Sequence, residues 1–291
     1  MNKIKTSRLK ILFFLLFIYA CTDEQGNPSN NDDIVENSNS LSIVTWNIEL
    51  FPKQGDQTVD AVANIIQHYS PDILALQEIN SENQYFDILN NQLDDYSGFI
   101  QDNGTWSLSF LYKIDANLEF ISISEIYSDE WYAFPRPPLI LQMLWNDDDI
   151  YIINNHFKCC DDFDRRLLAS QLLDEYIETY LDTKKVIIIG DLNDSLDDSE
   201  NENAFLPFIN NPNSYILADF PIAIGLQDYW SFPNYPSHID HIILTSELYD
   251  IFNNGDSSVE TLLLDIDFYN SWNAYDEIIS DHRPMHLILN P

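Results

Sequence analysis

At 291 residues, with 45% apolar residues and 17 Phe, 16 Tyr and 6 Trp, the chain can build a sizeable core, which excludes wholesale disorder. Its 13 Lys and Arg stand against 48 Asp and Glu, a formal net charge of −35 at pH 7. That sign argues against tight non-specific binding to nucleic acid, which releases counterions with lysine and arginine, and suits a soluble, salt-tolerant surface.

Residues 1–20 read as a targeting signal. Lys3, Lys5, Arg8 and Lys10 make a basic head, and Ile11–Tyr19 is an uninterrupted apolar run. The run is too short for a bilayer span, which takes about 20 residues in a helix. Ile18-Tyr19-Ala20-Cys21 resembles a bacterial lipobox, whose cysteine becomes the acylated first residue; the alternative is a plain secretory signal cut near Ala20. Either route exports the protein. The lipobox further implies an outer-membrane or cell-surface lipoprotein of a bacterium, held to the membrane through lipidated Cys21. Residues 1–20 hold four of the bases and no acid, so the remainder carries 9 bases against 48 acids, net −39. Residues 21–40 then form the lipidated cysteine and a polar, acidic tether.

Residues 41–291 read as one domain in which β-branched apolar runs alternate with amphipathic segments. Strand-like runs are Leu41–Ile48, Ile73–Ile79, Ser107–Ile114, Leu118–Tyr127, Leu139–Trp145, Ile150–His156, Lys185–Gly190, Ile239–Leu244, Val259–Leu264 and Met285–Leu289. Helices are expected at Asp56–Tyr69, Glu82–Leu93 and Phe163–Leu181. In the last, Phe163, Leu167, Leu168, Leu172, Leu173, Tyr176, Ile177 and Tyr180 make an apolar stripe read as core. Arg165 and Arg166 of that helix read as surface charges paired with acids. Several runs end on polar residues that chemistry can use: Asn47, Glu78, His156 and Asp191. Strand ends that converge on one rim are where α/β folds place ligands.

Five segments stand out together: Thr45-Trp46-Asn47-Ile48-Glu49, Leu76-Gln77-Glu78-Ile79, Asn154-Asn155-His156-Phe157-Lys158, Gly190-Asp191-Leu192-Asn193 and Ser280-Asp281-His282-Arg283-Pro284. A sixth, Ser237-His238-Ile239-Asp240-His241, precedes the last. Hydrolysis of a phosphate ester needs a cation on a phosphate oxygen, an aligned water and donors for the charge that builds at phosphorus. Carboxylate and amide oxygens suit Mg²⁺, and Glu78 is the best placed direct ligand.

This set, in this order, resembles the endonuclease/exonuclease/phosphatase family, which includes deoxyribonuclease I, exonuclease-III-type repair nucleases, bacterial sphingomyelinases and inositol-polyphosphate phosphatases. The resemblance implies an α/β fold, a four-layer α/β/β/α sandwich of two packed mixed β-sheets flanked by helices. It implies Asn47 and Asp281 beside Glu78 at the metal, Mg²⁺ with Mn²⁺ or Ca²⁺ as alternatives. Asp191 would orient and activate water, and Asn193 would donate to the scissile phosphate. His282 and Asp240 resemble the family's His–Asp pair, the carboxylate fixing the tautomer and favouring imidazolium. His156 resembles the second histidine, a donor or acid near the leaving group. Arg136, in Phe134-Pro135-Arg136-Pro137-Pro138, either contacts phosphate or caps a Pro-rich turn.

His238 and His241 flank Asp240 and by strand alternation point away from its face, so they read as structural. Cys159-Cys160 is open to three readings: a strained vicinal disulfide, two free thiols, or a zinc site with His156. The expected function is a nuclease-like phosphodiesterase. A sphingomyelinase-type lipid phosphodiesterase is the alternative, for which Phe220–Tyr235 would supply an exposed apolar hairpin unless it packs on the core. A non-catalytic surface lipoprotein and a glycosidase using paired carboxylates are further alternatives. The substrate is thus a phosphate ester, nucleic acid or phospholipid, with no protein partner expected.

Overall fold

The computed structural model describes residues 39–115 and 117–291. The signal, Cys21 and all but the last two residues of the tether lie outside the described residues.

The chain runs through β1 (Leu41–Phe51), α1 (Asp56–Tyr69), β2 (Ile73–Ile79), α2 (Tyr85–Asn91), β3 (Tyr96–Ile100), β4 (Ser107–Lys113), β5 (Leu118–Glu125), β6 (Leu139–Trp145) and β7 (Asp148–His156). Next come α3 (Phe163–Tyr180), β8 (Lys185–Asp191), α4 (Leu206–Ile209), β9 (Tyr215–Leu217), α5 (Phe220–Ala223) and β10 (Asp240–Thr245). It ends with α6 (Tyr249–Phe252), β11 (Ser258–Thr261), α7 (Leu264–Asp267), α8 (Trp272–Ile278) and β12 (Met285–Leu289). Two six-stranded mixed sheets form, in the orders β11-β12-β1-β2-β4-β3 and β5-β6-β7-β8-β10-β9. Each has one parallel pair, β1/β2 and β7/β8, among antiparallel ones.

The sheets pack face to face. Ile43, Ile73 and Phe110 of the first share a buried cluster with Leu141, Ile152, Ile187 and Ile242 of the second. Val44, Trp46 and Leu74 face the other way, onto Val59, Val62 and Ile66 of α1 and Tyr275 of α8. Ile153, Val186 and Ile188 pack on Ala169, Leu173 and Ile177 of α3. This is the expected four-layer sandwich. It also explains the unbroken run Val186–Ile189: alternate residues serve different layers, and both are dry.

Local differences have physical causes. The buried line of α3 is Arg166, Ala169, Ser170, Leu173 and Ile177, while Tyr180 is 69% exposed. Small Ala169 and Ser170 let the helix approach the sheet, and the larger members of the expected stripe line the margins. β3 escapes a hydrophobic-pattern reading because it is a half-buried edge strand interrupted by Gly98. The run Val259–Leu264 stops pairing at Thr261 and turns into α7. Expected helix Glu82–Leu93 shortens to α2, its entry taken by Asn80 and Asn83, whose side-chain oxygens accept backbone N–H bonds from Glu82 and Tyr85. Phe220–Tyr235 holds α5 and a short 3₁₀ turn and ends in one isolated antiparallel bridge, Phe232 to Ser237; Phe220, Ile224, Leu226, Tyr229 and Tyr235 are exposed and Phe232 is half-buried.

Three features carry chemistry to one end of the two packed sheets. Pairing sets His156 beside Asp191 across β7/β8 and Asp191 beside Asp240 across β8/β10. Gly190 is required there: its φ is +139°, and an added Cβ would stand 2.0 Å from the Asn155 carbonyl oxygen. On the other sheet, registers of β1/β2 and β2/β4 both slip around Glu78, which adopts a left-handed φ of 61°. That bulge turns the Glu78 carboxylate out of the pleat.

Candidate active site

Over these strand ends opens a cavity of about 800 Å³. Glu78, Arg136, His156, Asp191, Asn193, Asp281 and His282 line it, with Glu49, Leu50, Trp106, Lys158, Cys159, Cys160, Phe232 and Tyr235 among its other walls. Asn47 and Asp240 lie buried behind it.

Asp191 is the hub. Its Oδ2 accepts from Asn47 Nδ2 at 3.0 Å and lies 3.4 Å from His156 Nε2 and 3.9 Å from His282 Nε2. Asn47 Nδ2 also donates to Glu78 Oε1 at 3.0 Å, so one amide ties two carboxylates together. Asn47 Oδ1 accepts from Glu49 N at 3.0 Å. In this arrangement Asn47 presents nitrogen, not the oxygen expected of a ligand, to the carboxylate pair.

Burial drives the titration of this cluster. It pushes Asp191 up to about 7, with the negative charges of Asp240 and Glu78 adding to the rise and His282 and Asn47 opposing it. It raises Glu78 and lifts Asp281 to about 6, where Glu49 and Glu78 add repulsion. His282 goes the other way from a buried imidazole: burial favours the neutral ring, but Asp240, Asp191 and Asp281 outweigh it and raise the ring to about 10. Its Nδ1 meets Asp240 Oδ2 at 2.7 Å. His156, buried and close to the cations Arg136 and His282, falls well below its ordinary value. A neutral His156 donates through one ring nitrogen and accepts through the other, and is poorly suited to the acid role. Its Nδ1 has no hydrogen-bond partner among the described residues.

The Ser280–Pro284 segment is fixed from several sides. Ser280 Oγ donates to Asn47 O at 2.6 Å and accepts from His282 N at 2.9 Å. Asp281 N donates to Glu49 Oε2 at 3.0 Å. Arg283 grips Asp265 with two bonds of 2.8 Å. Asn193, at a φ of 54°, donates through Nδ2 to Phe157 O at 3.2 Å, leaving its second amide hydrogen for a ligand. Arg136 bridges the carbonyls of His156 and Phe157 through Nη2 at 2.9 and 2.7 Å, so it caps a strand end, and it does so while lining the cavity.

A hard divalent cation fits this donor set. Oxygens of Glu78 and Asp191 and a nitrogen of His156 lie within 4.8 Å of one another; atoms of Asp191, Asp240 and His282 do so too, but His282 as imidazolium has no lone pair to offer a metal. Buried carboxylates held above their ordinary range are what positive charge would relieve. Asp281 belongs to neither group.

Some neighbours escaped sequence reasoning. Glu49 braces Asp281 and binds Lys53, which also reaches Asp276 Oδ1 at 3.0 Å; its spacing from Asn47, two along a strand, was the available signal. Trp106 beside His156 and Phe232 over His282, 4.7 Å between ring centroids, carried no motif. Arg166 is not the surface charge expected: it is 7% exposed, binds Asp194 Oδ2 at 2.9 Å and donates to the carbonyls of Lys158 and Cys160. Arg165 donates to the carbonyls of Trp131 and Tyr132. His238 and His241 both turn to Asp219, at 2.9 and 2.6 Å.

A family model described as the Endonuclease/Exonuclease/phosphatase family matches residues 44–282. Among solved structures, a humanized D. rerio TDP2 carrying 14 mutations aligns with a TM-score of 0.67 at 17% identity, covering 87% of this chain and 100% of that one. D. rerio TDP2 complexed with a single strand DNA product gives 0.63 at 18% identity, covering 87% and 99%. The human Nocturnin catalytic domain with bound sulfate gives 0.60 at 16% identity, covering 86% and 94%. At these identities the likeness is one of fold. No curated protein matches the chain in sequence.

Proposed function

Because this chain belongs to the Endonuclease/Exonuclease/phosphatase family, we propose that it hydrolyses phosphate esters, nuclease-like phosphodiesters foremost, by metal-assisted attack of water. The observation that carries this reading is the convergence of Glu78, His156 and His282 on Asp191 within 4 Å or through one shared amide.

Glu78 would hold the cation, with Asp281 the neighbouring carboxylate and Asn47 fixing Glu78 from behind. Mg²⁺, or Mn²⁺ or Ca²⁺ in its place, would supply Lewis-acid polarisation of a phosphoryl oxygen. Asp191, a carboxylate facing the cavity, accepts the proton of the attacking water. Imidazolium His282, oriented by Asp240 on Nδ1, donates to a phosphate oxygen through Nε2. Neutral His156, the free hydrogen of Asn193 and the remaining donors of Arg136 complete the cradle.

Nucleic acid in short or single-stranded form suits this cavity better than a phospholipid. Among the described residues Arg136 and Lys158 are its only lysine or arginine walls, while Trp106 and Tyr235 offer faces on which bases stack. D. rerio TDP2, a fold relative, is seen with a single strand DNA product. Export and lipid attachment through Cys21 complete the proposal and rest on residues 1–21 alone.

The test is a panel of single-stranded and plasmid DNA, RNA, bis-p-nitrophenyl phosphate, sphingomyelin and an aryl glycoside, each with Mg²⁺ and with chelator. Cleavage of DNA or RNA and of the model diester is expected. Cleavage of sphingomyelin alone would move the assignment to a lipid phosphodiesterase. No phosphate-ester cleavage with any divalent ion would leave a binding module.

A further inference from the structure

We propose that Cys159 and Cys160 are a redox modification site in the wall of the catalytic cavity, closed by a disulfide-bearing oxidant into a vicinal disulfide that lowers turnover. The effect on turnover rests on the phosphoesterase reading; the modification does not.

Both cysteines line the cavity, and their sulfurs stand 2.7 Å apart. Cys160 is exposed and Cys159 half-buried, so an oxidant in solvent meets Cys160 first. Cys160 adopts a left-handed φ of 70°, which folds the backbone so that neighbouring side chains meet instead of pointing apart. Lys158 Nζ lies 3.6 Å from Cys159 Sγ, a cation beside the sulfur that must attack second.

The chemistry balances as thiol–disulfide exchange. Cys160 loses its proton and attacks the oxidant's disulfide, releasing one thiol and leaving a mixed disulfide. Cys159 loses its proton and displaces the second half as a thiol. One S–S bond forms in the protein and one breaks in the oxidant; two electrons and two protons pass to the oxidant. Adjacent Cα atoms lie about 3.8 Å apart, short of the roughly 4.4–6.8 Å of ordinary disulfides. The ring is therefore strained and easily reopened by a dithiol, as a switch requires.

Hydrogen bonds connect the pair to the catalytic groups. Cys160 O and Lys158 O accept from Arg166 Nη1 at 2.7 and 3.1 Å, and Arg166 holds Asp194, three residues beyond Asp191. Two residues before the pair, Phe157 O accepts from both Arg136 and Asn193. Closing the ring re-aims the peptide between the cysteines and strains the carbonyls that hold these donors. Misplacement by about an ångström can cost up to about a hundredfold in rate.

Treat the full chain with oxidised glutathione or with dithiothreitol, map the peptide carrying both cysteines by mass spectrometry, and follow amide exchange over residues 153–166 and 190–195. Turnover of bis-p-nitrophenyl phosphate with Mg²⁺ is read on the same samples. Loss of two hydrogens from that peptide, altered exchange in both segments and a tenfold or greater fall in turnover, all reversed by dithiothreitol and absent in Cys160→Ser, is the expected result. Failure of the ring to form overturns the proposal, as does a ring that leaves exchange and turnover unchanged. If the reduced protein cleaves no phosphate ester, the phosphoesterase reading fails, and the ring and exchange data still decide the modification site.

Discussion

Asp240 and Asp191 stand opposite one another across the β8/β10 pairing, and His282 takes one on each ring nitrogen, at 2.7 Å to Asp240 and 3.9 Å to Asp191. The two carboxylates thereby acquire different work. Asp240, 0% exposed, holds the ring; Asp191, facing the cavity, is left for water.

Asp240→Asn keeps the shape and removes the charge that helps hold His282 as imidazolium. Turnover should fall by about 10²–10⁴, with the melting temperature moved by only a few degrees. Steady-state kinetics beside a thermal melt checks this. Unchanged turnover would remove His282–Asp240 from the mechanism.

The pH dependence of stability has a definite sign in metal-free protein. Asp191 and Asp281 have folded values of about 7 and 6, above their ordinary 3.8, so each binds protons more tightly in the fold. His282, at about 10 against 6.5, does the same. Each group's contribution is largest below its unfolded value and is lost as pH rises through its folded one. The stabilisation from these three groups should therefore fall from pH 4 towards pH 10, whereas His156, held well below its ordinary 6.5, contributes above that value and loses its contribution as pH falls. Mg²⁺ should raise the melting temperature more at pH 8 than at pH 5, since it replaces the missing protons. Melts at both pH values, with Mg²⁺ and with chelator, make the comparison; an equal or opposite Mg²⁺ effect would contradict the cluster's role.

Gly190→Ala should cost more than about 3 kcal/mol, because the new methyl meets the Asn155 carbonyl in a backbone conformation that L-residues avoid. Chemical denaturation measures it. A near-neutral result would mean that β7 and β8 are not apposed as described.

Arg136→Lys removes the fork that bridges two carbonyls. KM for a phosphodiester should rise about tenfold, with a smaller change in kcat. An unaltered KM would leave Arg136 as a turn cap.

Much of this was legible before folding. Buried strands betray themselves by β-branched runs; His156 and Asp191 terminate two of them, and Asn47 and Glu78 lie near the ends of two more. Other features depend on distances that sequence does not encode. The value of Arg166 lies in Asp194 and in the carbonyls of a loop it folds against, so composition casts it as surface charge. Glu49 matters because the chain returns at Asp281. Trp106 and Phe232 meet the histidines from separate connecting segments, a 3₁₀ turn before β4 and the loop before β10. Asn47 was readable as a site residue, but which of its amide atoms faces the carboxylates follows only from Glu49 N.

The most direct test of the central claim is the Mg²⁺ dependence of bis-p-nitrophenyl phosphate hydrolysis by the native chain and by Glu78→Gln. The account predicts saturable activation for the native protein, full loss with chelator, recovery on adding Mg²⁺ back, and at least a hundredfold weaker response in the variant. Hydrolysis indifferent to chelator, or equal activation of Glu78→Gln, would contradict it.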